Sequence, residues 1–198
     1  MDKQHIIDFF DRLAADWDAN LLRDDTKIGF ILDCAGVTQG TSVLDVACGT
    51  GVLIPDYLAR NVKRVVAVDI SSAMIAAAQA KCSDPRVRFL HADIETVTLK
   101  ETFTCCVVYN AFPHFPDAQG LLRTLAERLS SNGRLTIAHS ASRERVNARH
   151  AGGASRVSIG LMHETALAAL MQAHFEVDIV LSNEELYLVS GRKKGCAP

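Results

Sequence analysis

Three aspartates sit where apolar runs end. Asp45 lies inside SVLDVA (42–47), Asp69 closes RVVAVD (64–69), and Asp93 follows VRFLHA (87–92). Each run is rich in β-branched residues and lacks the strict alternation of a half-exposed strand, so each predicts a buried strand. Three such strands side by side would set their carboxylates along one rim of a sheet. Between the first two runs stands Ala47-Cys48-Gly49-Thr50-Gly51, a tight small-residue turn that opens a helix and brings backbone close to a ligand. A dinucleotide fingerprint would need a third glycine where this chain has Ile54, and a pyrophosphate would meet the carboxylate of Asp45. The rim instead complements a ligand that offers positive charge, an amino group and a ribose diol, with Asp69 placed to accept the diol hydroxyls.

A second group of residues suits proton handling. After a fourth run, TCCVVYN (104–110), the loop Tyr109-Asn110-Ala111-Phe112-Pro113-His114-Phe115-Pro116-Asp117 should open beside the first strand, where strand order reverses. His114 is a candidate general base, because imidazole titrates near neutrality, and Asn110 and His139 are the other catalytic candidates. Past a fifth run, RLTIAHS (134–140), the stretch from His139 to His150 carries more hydrogen-bonding groups than a connector requires. Arg143, Arg145, Arg149 and Arg156 face a single Glu144 there and suit an anionic acceptor, with Gly152-Gly153 as a hinge. His139, His150 and His163, with His114 or Cys105, lack compact metal-ligand spacing, and no metal site is predicted.

The elements that position these residues alternate. Helices are expected at Val52–Arg60, at Ser72–Lys81 after a Ser71 cap, and at Ala118–Leu129, ended by Asn132-Gly133. A βαβ alternation predicts a mostly parallel sheet covered on both faces. Ahead of it lie two helices, Lys3–Ala15 and Asp25–Ala35, the second closed by Gly36. Behind it come a helix near Glu164–Ala173 and two runs, FEVDIVLS and ELYLVSGR, spaced as an antiparallel hairpin.

Composition narrows the function classes. The chain has 198 residues, 48% hydrophobic and 22% charged, with 21 Lys+Arg against 23 Asp+Glu. That balance excludes a disordered chain and gives no whole-protein basic field to attract nucleic acid or acidic lipid. Six cysteines without regular spacing, no signal-like apolar stretch and no run of transmembrane length predict a reduced, cytoplasmic protein with no membrane or nucleic-acid partner, a monomer or homodimer.

Asp45-Val46-Ala47-Cys48-Gly49-Thr50-Gly51, taken with Asp69 and Asp93, resembles the motif series of the class I S-adenosylmethionine-dependent methyltransferases over about residues 40–140. The family pattern usually has glycine at Ala47. The resemblance implies an α/β fold, a Rossmann-like doubly wound seven-stranded mixed sheet ending in an antiparallel hairpin. It implies S-adenosylmethionine as cofactor, with Asp45, Ala47, Cys48, Gly49 and Gly51 around the methionine portion and Asp69 on the ribose. Ile70 and Met74 would pack near the ribose and adenine, Asp93 and Ile94 would hold the adenine, and Asn110 would face the reactive methyl. The stretch from Phe9 to Asp18 resembles the opening helix of quinone- and sterol-type small-molecule methyltransferases, which would make Trp17 part of a lid.

The expectation is therefore a single methyltransferase domain acting on a small-molecule acceptor. Residues 1–38 would form the lid, 40–140 the cofactor-binding core, 141–163 a substrate or lid segment, and 164–192 the terminal helix and hairpin. Two other readings use the same fold: an RNA or protein methyltransferase, and a non-catalytic cofactor-binding module. The absence of an N-P-P-Y tetrad, with Asn110-Ala111-Phe112-Pro113 in its place, argues against a base-modifying enzyme.

Overall fold

The computed structural model of the chain describes residues 1–150 and 156–195, with only the backbone of His150. The strands are β1 (Ser42–Val46), β2 (Arg64–Asp69), β3 (Val87–His91), β4 (Phe103–Tyr109), β5 (Leu129–His139), β6 (Phe175–Ser182) and β7 (Tyr187–Lys193). They form one seven-stranded sheet in the order β3-β2-β1-β4-β5-β7-β6. The first five are parallel, and β7 is inserted antiparallel between β5 and β6. This is the Rossmann-like mixed sheet with a terminal hairpin that the sequence implied. The order reverses between β1 and β4, so the carboxyl ends of those two strands flank the crevice where ligands bind in such sheets.

Alternation along β1 explains how the sheet is held. Leu44 and Val46 face a core closed by α5 (Ala118–Arg128) and α7 (Glu164–Met171), through Leu121, Leu125 and Met171. Val43 faces a second core closed by α2 (Asp25–Cys34), α3 (Ile54–Ala59) and α4 (Ser72–Lys81), through Ile28, Tyr57 and Ile75. The period of two then puts Asp45 on the Val43 face, towards α3. Helix α4 starts as expected, with the Ser71 side chain accepting from the Met74 amide.

Three details differ from the sequence expectation. Strand β3 is half-exposed rather than buried, because it lies at the sheet edge and only β2 pairs with it. Strand β5 begins at Leu129, directly after α5, so Asn132-Gly133 does not end the helix. The register against β4 jumps from Phe103↔Leu129 to Cys105↔Arg134, and Asn132 at φ +61° turns the chain inside this bulge. A Cβ at Gly133 would come within 3.0 Å of the Phe103 and Ser130 carbonyl oxygens, which is why glycine is needed there. Finally, the polar stretch after β5 is an ordered helix, α6 (Arg143–His150). Its Val146 is buried, and the chain beyond it docks on the β4 loop through the Ile159 amide and the Pro113 carbonyl. The expected hinge at Gly152-Gly153 lies outside the described residues.

Candidate active site

The carboxyl ends of β1, β2 and β4 open into a cavity of about 850 Å³, roofed by α1 (Lys3–Leu13) and the short 3-10 turn Asp18–Asn20. That volume lies towards the top of the roughly 300–1,000 Å³ range of small-molecule sites. Every residue singled out for cofactor or catalysis lines it except Gly51: Asp45, Ala47, Cys48, Gly49, Asp69, Ile70, Met74, Asp93, Ile94, Asn110, His114, His139 and Trp17. Gly51 sits behind the turn at φ +80°. A Cβ there would lie 3.2 Å from Ile54 Cγ1 and 3.4 Å from the Ala78 Cβ, so this glycine serves close packing under the loop.

The floor of the cavity is acidic. Asp45 is 2% exposed, and its Oδ2 has no hydrogen-bond partner among the described residues. Burial, reinforced by the nearby Asp69 carboxylate and opposed by Tyr57, pushes its pKa up to about 8. A buried carboxyl with an unanswered oxygen is costly, and an ammonium or other donor arriving in the cavity would answer it. Asp69 accepts from the Gly49 amide through Oδ2 (2.8 Å) and from the Ser71 amide through Oδ1 (2.9 Å), locking the glycine turn to the start of α4. Burial raises its pKa, and those two amides act in the opposite direction. Each oxygen keeps a lone pair for a hydroxyl. Ala47 is held at φ +53°, left-handed backbone that glycine adopts without strain. The Cys48 thiol, raised by burial and by Asp45 and Asp69, is an inert wall.

The roof is tied down by charged groups that pattern reading did not find. Lys3 bridges Asp93 (2.5 Å) and Glu95 (2.7 Å), so the carboxylate expected at the adenine already holds an ammonium. Burial lowers the Lys3 pKa and its two carboxylates more than reverse this, leaving it raised. Asp11 accepts from Ser71 Oγ (2.5 Å) and from the Ala73 amide (3.1 Å) at the start of α4. Asp18 accepts from Thr50 Oγ1 and Lys81, and Arg23 reaches Asp56 and the Val52 carbonyl.

The wall beyond β4 and β5 differs in chemistry. His114 is half-buried, its Nδ1 lies 2.6 Å from the Val157 carbonyl, and its ring packs edge-on against Phe10 at 5.0 Å. A carbonyl can only accept, so Nδ1 carries the proton and Nε2 is the basic nitrogen. Phe10 also meets Trp17 edge-on at 5.8 Å, which sets Trp17 in the roof. His139, 2% exposed, ends β5 against Tyr187. Asn110 is spent largely on structure: at φ +54° its Oδ1 accepts from the Ser140 amide and its Nδ2 donates to Ser140 Oγ, stapling the β4 loop to the end of β5. Among the described residues no three His, Cys, Asp or Glu side chains gather as a metal site. The His150 side chain lies outside them.

Comparison with known proteins agrees with this architecture. Residues 43–133 match a family described as a methyltransferase domain. An uncharacterised methyltransferase of Mycobacterium tuberculosis (strain H37Rv) is 37% identical over 61% of this chain and 59% of its own length. The mitochondrial ubiquinone biosynthesis O-methyltransferase of Schizosaccharomyces pombe is 30% identical over 66% of this chain and 53% of its own. The chain thus spans somewhat over half the length of these relatives. Among solved structures, the N-methyltransferase NodS of Bradyrhizobium japonicum WM9 with S-adenosyl-L-homocysteine superposes with a TM-score of 0.74 at 14% identity, covering 96% of this chain and 98% of that one. Magnesium protoporphyrin IX methyltransferase of Synechocystis PCC 6803, also with bound SAH, gives 0.71 at 18% identity, covering 98% and 100%. At these identities the solved structures establish a shared fold, with the glycine turn after β1 at the switch point of the sheet. Over residues 43–133 the chain is similar to methyltransferase domains, and along its length it shares the fold of these solved methyltransferases.

Proposed function

We propose that the protein is an enzyme that methylates a small-molecule acceptor with S-adenosylmethionine. One observation carries the reading: an acidic floor and an imidazole-bearing wall share a single roofed cavity at the switch point between β1 and β4. The floor suits the cofactor, with Asp45 for its ammonium, Asp69 for the ribose hydroxyls, and Asp93 with Ile94 at the adenine. When bound, S-adenosylmethionine supplies a methyl group on a sulfonium, released to an acceptor lone pair as the carbon–sulfur bond breaks. For such a displacement the protein's task is alignment and exclusion of water. The roof of α1, with Phe10 and Trp17, excludes water. His114 Nε2 takes the proton of a hydroxyl or amine acceptor, its tautomer set by the Val157 carbonyl. The acidic floor and the absence of a net basic field favour a small acceptor over RNA, and no helix among the described residues is long and apolar enough to cross a membrane.

Calorimetric titration with S-adenosylmethionine and S-adenosylhomocysteine tests the cofactor half. Micromolar binding, weakened tenfold or more by Asp69→Ala (about 1.4 kcal/mol), is expected. Folded wild-type protein that binds neither compound would overturn the reading. Binding without turnover on any acceptor of a broad panel would leave a cofactor-binding module instead.

A further inference from the structure

The cavity is lined by five cationic side chains, and they fall into two sets. Lys3, Arg23 and Lys27 are each held by carboxylates: Asp93 and Glu95, Asp25 and Asp56, Asp24 and Glu185. Arg145 and Arg149 have no carboxylate within ion-pair distance among the described residues, although both line the same cavity. Glu185, whose carboxylate feels the charge of Arg145, is bonded to Lys27 instead. The two arginines stand one turn apart on α6, so their side chains leave the same helix face, while the buried Val146 packs α6 against the core from the adjoining face. Arg143, by contrast, pairs with Glu144 and lies outside the cavity.

Much of the rest of the cavity lining is apolar. Phe9, Phe10, Leu13, Trp17 and Phe115 line the same cavity, with Phe10 edge-on against the His114 ring. The lining is amphipathic: two guanidinium groups with no ion-paired carboxylate among the described residues, a set of apolar side chains, and the His114 imidazole. Asp16 and Asp24 line the same cavity, and their repulsion disfavours a dianion more than a single negative charge.

Resting on the methyltransferase reading of this cavity, we infer that the acceptor is an apolar-bodied monocarboxylic acid. Its carboxylate is gripped by Arg145 and Arg149, and its nucleophilic hydroxyl or amine lies at the opposite end, at His114. Planar guanidinium groups match a carboxylate two-pronged, which fixes the acceptor's orientation as well as its affinity. Methylation therefore falls on the end of the molecule remote from the acid, and the carboxylate leaves the enzyme unmethylated.

The test is titration of the full chain, saturated with S-adenosylhomocysteine, against hydroxylated aryl-alkanoic acids such as 3-(4-hydroxyphenyl)propanoate, each paired with its primary amide. At least one acid is expected to bind about tenfold or more tightly than its amide, the scale of a charge-assisted hydrogen-bonded pair. The double variant Arg145→Gln/Arg149→Gln should erase that preference while leaving the affinity for S-adenosylhomocysteine unchanged. Arg123→Gln, which removes one charge from the exposed side of α5, should keep the preference intact. Absence of any acid-over-amide preference across the panel overturns the inference, as does a preference that survives in the double variant. Failure to bind S-adenosylhomocysteine overturns the proposed function instead, so the two failures are distinguishable. A methyl ester among the products of turnover would also overturn it, because it would put the carboxylate at the reacting end.

Discussion

The two walls of the cavity are built by opposite strategies. The floor under β1 and β2 is built largely from turn backbone and two short carboxylates: Asp69 grips two amides, Ala47 and Gly49 take left-handed φ, and Asp45 sits buried beside them. The wall past β4 and β5 is made from long side chains carried by a loop and a helix, with His114 oriented by a carbonyl forty-three positions along the chain. The floor is a local product of strand and turn. The wall exists only once distant segments have packed, and it is therefore the side on which one fold can accept different substrates.

Replacing His114 by Ala separates the walls most sharply. Turnover of a hydroxyl or amine acceptor should fall by about 10²–10⁴-fold, the usual worth of a positioned general base, while affinity for S-adenosylhomocysteine stays within about twofold. A parallel loss of cofactor affinity, measured in the same calorimeter, would show that the walls are not separable.

The floor responds to pH through Asp45, whose pKa rises from 3.8 to about 8 on folding. Across that window the folded protein holds a proton that the unfolded chain releases, so this residue makes stability fall as pH rises from about 4 to about 8. Asp45→Asn should flatten the stability profile there and raise the melting temperature at pH 8. It should also weaken binding of the cationic cofactor about tenfold, because the carboxylate that answers an ammonium is gone. Melting curves that keep the wild-type slope would assign that slope to another group.

A smaller effect is expected at the roof. The Lys3 side chain is 41% exposed, and such bridges contribute about 0–1 kcal/mol. Lys3→Met should leave the melting temperature nearly unchanged and speed cofactor dissociation only severalfold in stopped-flow measurements. The smallest change is Ala47→Gly. Relief of the left-handed alanine, less the greater freedom glycine gives the unfolded chain, should add about 0.5–1 kcal/mol in urea unfolding.

The same contrast decides what was legible in the sequence. Asp45, Gly49 and Asp69 were readable because the chemistry of a strand-ending carboxylate and a glycine turn is written within a few neighbouring residues. The hairpin of β6 and β7 was readable for the same reason. The start of β5 was not, since a glycine inside a bulge and a glycine ending a helix look alike until the partner strand is known. Nor could periodicity show that Arg145 and Arg149 reach the cavity while Arg143 does not, because that depends on how α6 is rotated when Val146 packs. Lys3 and Asp11 act across the fold, on Asp93 and on the start of α4, and no local pattern marks such partners.

The Asp11 contact gives the molecule a spectroscopic handle. The Ala73 amide stands in the first turn of α4, where the helix itself provides it no acceptor, and its hydrogen bond goes to a side chain of the roof. Its exchange with solvent deuterium should therefore follow the opening of α1 rather than the unfolding of the sheet. A single amide thus reports how often α1 lifts from the start of α4.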